Sequence, residues 1–187
     1  YQGESNRLEE EAVFYDKLLG KMIANWRDLW QKNLPFYIVQ IAPHNDGDWN
    51  DWSHIRQAQE RVTKEVANTY LCTLAHTGEA DNIHPTKKHQ IATELKNAVL
   101  ANAFGYDVEY CGPVAEKAEK TEDGAVITFS HADGLHFDGD PADVAVYDRD
   151  GNPIPYTAAI EGNTLLLNGN GITCVKMGWQ NACAHNL

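Results

Sequence analysis

Serine is scarce in this sequence. The 187 residues hold three, Ser5, Ser53 and Ser130. None of them stands in a G-x-S-x-G elbow, so the local signature of a nucleophile elbow is missing. The four cysteines, Cys72, Cys111, Cys174 and Cys183, form no C-x-x-C pair, which excludes a zinc ribbon and a thioredoxin motif. Their even number is compatible with an oxidising compartment. No H-E-x-x-H is present either. Basic residues are outnumbered, with 15 Lys and Arg against 27 Asp and Glu, a net charge of −12. Phosphates are repelled by such a surface, so no nucleic-acid partner and no anionic membrane surface is expected. No apolar run approaches the roughly 20 residues that span a bilayer. The chain starts at Tyr1 without Met and without a signal-peptide pattern, and the expectation is that its native start has been removed.

What is there is a globular composition, 43% hydrophobic and 22% charged. The pattern divides the chain into residues 1–110 and 111–187. In the first part, Val13, Phe14, Leu18, Met22, Trp26, Leu29 and Trp30 follow helical spacing and predict one helix over residues 8–31, with Trp26 and Trp30 in the core. Residues 36–42 and 69–75 are short, nearly continuous apolar runs, as in strands buried on both faces of a parallel sheet. Ser53 is the expected N-cap of a helix to residue 68, and another helix is expected over 86–103. Strands alternating with helices imply an α/β sheet with crossover helices. Two strands are few for a doubly wound sheet, so this part reads as the second half of a domain. After residue 112 short β-prone runs at 125–130, 143–147, 156–160, 164–167 and 173–177 alternate with turn signals such as Glu161-Gly162-Asn163. They predict a small antiparallel, sandwich-like β region.

The sharpest chemical feature is Asp81-x-x-His84-Pro85, on the loop after the second apolar run. In open α/β sheets, ligands bind in loops at the carboxyl ends of strands. A carboxylate three residues before an imidazole can accept from Nδ1–H and leave Nε2 to take a proton from a nucleophile. The same pair also serves as an ordinary surface turn. His76, Asp81, His84 and His89 lie close in sequence but lack zinc spacing, so neither a metal nor another cofactor is expected. Ser5 with His84 and Asp81 makes a tempting triad, against the plainer reading that Ser5 or Asn6 caps the first helix. Cys72 reads as a small core hydrophobe. Arg56 could bind a carboxylate, against the plainer reading of a surface or helix-packing residue. Asp138-Gly139-Asp140 reads as a solvated turn. Trp49 and Trp52 fall in a polar loop and are expected at a ligand-facing rim.

Four segments resemble a known family, the sialate O-acetylesterases, carbohydrate esterases of the SGNH hydrolase superfamily. Tyr1-Gln2-Gly3-Glu4-Ser5-Asn6 is similar to their W-Y-Q-G-E-S-N block. Leu34-Pro35-Phe36-Tyr37-Ile38-Val39-Gln40-Ile41-Ala42, with Trp52 and Ile55-Arg56-Gln57-Ala58-Gln59, is similar to L-P-F-x-x-V-Q-L-A…W…I-R-E-A-Q. Asp81-Asn82-Ile83-His84-Pro85-x-x-Lys88 is similar to D-I-H-P-x-x-K. Cys111-Gly112-Pro113-Val114 and Val175-Lys176-Met177-Gly178-Trp179 resemble segments of the family's appended β region.

The resemblance implies an SGNH-type three-layer α/β/α domain, with His84 as general base and Asp81 as its orienter. Gln2 would contribute to the oxyanion hole, and Gly3 and Glu4 would shape its loop. The family's nucleophilic serine precedes the first of these segments, so no residue of this chain is expected to be the nucleophile. Where many relatives carry an Asp before the glycine preceding D-x-x-H-P, this chain has His76-Thr77-Gly78. The implied substrate is an O-acetylated sugar, sialic acid or a related glycan, and the implied setting is secreted or periplasmic. The N-terminal half of the same enzyme, as a separate chain, is the implied partner. The rival reading is a carbohydrate-binding or inactive fragment without turnover.

Overall fold

The computed structural model describes residues 1–45, 52–139, 141 and 143–182. Two compact units result. One comprises Tyr1–Cys111 with Gln180–Ala182, and the other Gly112–Trp179.

The first unit begins with a one-turn 3-10 helix, Glu4–Asn6, followed by α1 (Glu9–Ala12) and α2 (Tyr15–Trp30). The single helix expected over 8–31 is thus broken at Val13 and Phe14. Neither Ser5 nor Asn6 caps it, because α1 starts behind Leu8 with no side-chain cap. α2 ends on Gln31 in the left-handed conformation, φ 51°. β1 (Phe36–Val39) and β2 (Thr69–Cys72) pair in parallel, Phe36 opposite Thr69 and Val39 opposite Cys72. α3 (Trp52–Glu65) connects them, and α4 (Lys88–Phe104) follows β2, stopping at Gly105 with φ 71°. Ser53 lies inside α3, buried, and is not a cap.

Alternation along the two strands gives each face its own helices. Ile38 and Phe36 meet Ile23 of α2 and Val62 of α3. Val39 and Cys72 meet Ala98 and Leu95 of α4. A strand apolar at every position is the pattern expected when both faces are covered. Cys72 is fully buried there, and burial pushes its thiol up to about 12, so it packs as an inert hydrophobe.

The apolar stripe of α2 is wider than the core it serves. Trp26 and Trp30 are 49% and 66% exposed, which corrects the expectation that both belong to the core. Trp26 touches Phe36 at 6.0 Å between ring centres. Phe14, Leu18 and Leu29 are exposed as well. Helical spacing alone reports amphipathicity, not which part of the apolar arc finds a partner.

In the second unit β3 (Val114–Lys120), β4 (Gly124–Ser130), β7 (Thr164–Asn168) and β6 (Thr157–Glu161) form an antiparallel sheet in that order. β5 (Val144–Tyr147) and β8 (Cys174–Met177) form a second antiparallel pair. Ile127, Phe129, Val144, Val146, Leu165 and Leu167 from both sheets make one core. The β6–β7 hairpin turns on Gly162, whose φ of 61° suits a residue without Cβ. β3 is the strand the sequence hides. Val114-Ala115-Glu116-Lys117-Ala118-Glu119-Lys120 shows no apolar alternation, because it is an exposed, charged edge.

Two substitutions on one helix separate its faces. Ile23→Ala, at a fully buried site, should destabilise by about 2–5 kcal/mol, whereas Leu29→Glu should stay within about 0.5 kcal/mol. Urea unfolding of the two variants measures the difference.

Candidate active site

Three segments converge on α3. The first carries Gln2 and Gly3. Gln59 of α3 donates from Nε2 to the Gln2 carbonyl at 2.9 Å, and its Oε1 accepts from the Ile41 N–H at 3.0 Å. Tyr15 directs its hydroxyl at both oxygens of Gln2, the carbonyl at 2.8 Å and Oε1 at 2.6 Å. Burial, the largest influence on it, pushes the Tyr15 phenol up to about 12, so it stays a donor at any working pH. Gln2 Nε2 gives one hydrogen to Asn6 Oδ1 at 3.0 Å. An amide nitrogen carries two, and the second has no acceptor among the described residues.

Gly3 shows why the segment begins as it does. Its φ is 142°, and a Cβ added there would lie 2.8 Å from Ile55 Cγ2 and 3.3 Å from Ile41 Cγ2. Only glycine lets the backbone lie this close to the cluster formed by Tyr15, Ile41, Trp52 and Ile55. Glu4 follows directly and opens the 3-10 turn, its carbonyl accepting from Arg7 Nη1 at 3.3 Å.

The second segment is the loop after β2. Ile83 packs against the same cluster as Gly3, which brings the Asp81–His84 stretch to the Gln2 segment. Asp81 and His84 are both exposed. Their side chains make no hydrogen bond or ion pair with each other among the described residues. The loop is organised by neighbours the sequence reading passed over. Glu79 accepts from the Thr86 N–H at 2.7 Å, the Thr86 hydroxyl at 2.6 Å and Asn82 Nδ2 at 3.0 Å. The bonds from the Thr86 hydroxyl and N–H lead in holding its carboxyl down at about 2. Asn82 Oδ1 accepts from the His84 N–H at 3.1 Å, an Asx turn that presents the imidazole. The signal was available: an Asn two residues before His84 and an acid seven before a Thr.

Just upstream, His76 Nε2 lies 2.9 Å from Glu94 Oε1, tying the 3-10 turn Ala75–Thr77 to α4. Burial pushes the Glu94 carboxyl up to about 7 and the His76 imidazole down. His76 is therefore engaged in a structural contact.

The third segment, at the end of β1, carries Pro43, His44 and Asn45. His44 is buried, with its ring 5.8 Å from that of Trp52. Trp52 was expected at the rim, but it is the first residue of α3 and only 1% exposed. Its ring lies between His44 and the Arg7 guanidinium, 6.0 Å away. Trp49, the other expected rim residue, and Asp140 fall outside the described residues. Arg56 is buried and donates to backbone carbonyls, so of the surface and packing roles expected for it the surface one does not hold. A cleft of about 620 Å³ in the second unit, lined by Ala115, Ile127, Ile172, Val175 and Met177, holds none of the candidate site residues.

The comparisons fit this arrangement. Residues 1–103 match the family of carbohydrate esterases described as sialic acid-specific acetylesterase, and the chain belongs to that family. Among solved structures it is similar to a carbohydrate acetylesterase from Xanthomonas citri, with 26% identity and a TM-score of 0.89. The match covers 97% of this chain and 44% of the other, so the chain spans less than half the length of that esterase. No curated protein matches the sequence significantly. No helix among the described residues is long and apolar enough to cross a membrane.

Two outcomes check the site's construction. Gly3→Ala should destabilise by about 1–3 kcal/mol in urea unfolding, from overpacking plus a disfavoured φ. The charged Glu79 carboxylate is the bound form, so its contribution is complete above the ordinary value of 4.5 and is lost as the pH falls toward 2. Hydrogen exchange at the Thr86 amide should show unchanged protection from pH 8 to 5 after correction for intrinsic rates. Below pH 4 the protection should decline, and Glu79→Gln should lack the dependence.

Proposed function

We propose that this chain is the part of an SGNH-type carbohydrate O-acetylesterase that supplies the general base, its orienting carboxylate and one oxyanion donor. The observation that carries the reading is the packing of the Gln2–Gly3 segment and the Ile83 loop on one cluster. Both fall within the residues that match the esterase family. The loop leaves the carboxyl end of a parallel strand, where α/β enzymes place their ligands.

In this reading Asp81 rotates to accept from His84 Nδ1–H, a contact that tightens when substrate is bound. His84 Nε2 takes the proton of a serine hydroxyl as the oxygen attacks the acetyl carbonyl. The uncommitted hydrogen on Gln2 Nε2 donates to the oxyanion that forms. His84 then returns its proton to the departing sugar oxygen. Water repeats the sequence on the acetyl-enzyme and releases acetate.

The serine comes from the half of the domain that would lie against β1 and α2. The edge of β1 that no strand among the described residues pairs with, and the exposed Phe14, Leu18 and Leu29, support such a neighbour. The substrate of the assembled enzyme is an O-acetylated sialic acid, the 9-acetyl ester first, or a related glycan. The setting is secreted or periplasmic, by family likeness.

The test combines this chain with the serine-bearing half and assays release of acetate from 9-O-acetylated sialic acid. His84→Ala should lower kcat by roughly 10⁴ to 10⁶, and Gln2→Ala by roughly 10² to 10³. Full turnover by the His84→Ala protein would remove His84 from the mechanism.

A further inference from the structure

Arg56 occupies an unusual position for a cation. It is 6% exposed, yet it donates to main-chain oxygens: Nη2 to the Gln180 carbonyl at 2.5 Å and Nη1 to the Asn181 carbonyl at 3.2 Å. The segment it holds, Gln180–Ala182, is where the chain rejoins the first unit. The Asn181 carbonyl also accepts from the His44 N–H at 3.1 Å. One oxygen thus joins α3 to the segment behind β1.

That segment is what the Asp81–His84 loop rests on. A Cβ at Gly78 would meet the Pro43 carbonyl oxygen at 2.5 Å, so the two backbones are in direct contact. His44 Nδ1 lies 3.5 Å from the Glu79 carbonyl, to which it donates in the tautomer protonated there. The Asn45 N–H donates to the Ala80 carbonyl at 2.8 Å. Three successive residues, Pro43, His44 and Asn45, therefore support Gly78, Glu79 and Ala80 in turn. Glu79 in turn holds Asn82, and Asn82 holds the His84 N–H.

We propose that Arg56 is a positioning residue for His84, acting through the Gln180–Asn181 carbonyls and the His44–Asn45 backbone. A planar guanidinium reaches two adjacent carbonyls at once, which an ammonium on a flexible stem cannot do. Charge-assisted bonds in a buried site are strong, so they fix the returning segment in one place. Its carbonyl then fixes the height of His44, and with it the loop. No charge needs to reach His84 for this coupling, because the links between Arg56 and the His84 N–H are successive hydrogen bonds and one steric contact. The proposal rests on the reading of the Asp81–His84 loop as catalytic only for its consequence. The coupling itself is a property of the chain.

The test is hydrogen exchange, with the NMR chemical shifts of the His84 ring protons at fixed pH, on the chain as it stands. Arg56→Met removes the donors, and Arg56→Lys keeps the charge should the methionine variant fail to fold. In either variant the amides of Asn45, His84 and Thr86 should exchange about ten-fold faster, and the His84 ring-proton resonances should change position at fixed pH. Amides of β2 and of the β4–β7 ladder should keep their protection. Faster exchange confined to α3 and residues 180–182, with the His84 ring-proton resonances unmoved, would overturn the proposal. Failure of the esterase reading would show separately, as no acetate release by the wild-type chain combined with the serine-bearing half while the coupling persists.

Discussion

The side-chain amide of Gln59 is the contact on which the site depends. It is 1% exposed, and both its ends are committed to backbone groups from different segments. A buried amide satisfied on both ends is favourable, whereas the same groups left unpaired would cost roughly 1–3 kcal/mol each. Gln59 therefore fixes not just a distance but a register, that of the Gln2 carbonyl against the Ile41 N–H. Gly3 then falls onto Ile55 and Ile41, and Tyr15 closes over Gln2. Helix α3 acts as a platform. Trp52 gathers His44 and Arg7, Arg56 gathers the returning chain, and Gln59 gathers the amino-terminal segment.

This explains why short motifs carry so much of the family resemblance. Gln2, Gly3, Trp52, Arg56 and Gln59 are distant in sequence but answer one another across α3. None has a chemical meaning in isolation. Gly3 is glycine because Ile55 stands against it. Arg56 is arginine because two carbonyls need one planar donor set.

The parallel pair and its flanking helices were legible from the apolar runs and their alternation with helical spacing. So was most of the β region, where turn residues punctuate β4 to β8. What was not legible followed from partners the sequence does not display. β3 is charged at an edge and so carries no periodic signal. Trp26 and Trp30 share a face with core residues but lie at its margin, about half or more exposed, with Trp26 beside Phe36 of β1. Trp52 sat beside Asp- and Asn-rich residues, and its neighbours suggested a loop when its own burial placed it in a helix. At the candidate site, Asp81 and His84 were visible from spacing, whereas Glu79, Asn82 and His44 were not. Glu79 and Asn82 act through side-chain bonds that close a local turn, so their only signal is short-range spacing within a polar loop, whereas His44 also acts through its backbone N–H, which leaves no mark on residue type.

The measurement that most directly tests the account is a crystal structure of the assembled esterase with its serine trapped by an acetyl-ester-like phosphonate. The account predicts a phosphonyl oxygen within hydrogen-bond reach, about 3 Å, of Gln2 Nε2, and His84 Nε2 facing the modified serine oxygen with Asp81 on its other nitrogen. A trapped serine facing a different imidazole, with the Gln2 segment and the Ile83 loop remote from the phosphorus, would contradict it.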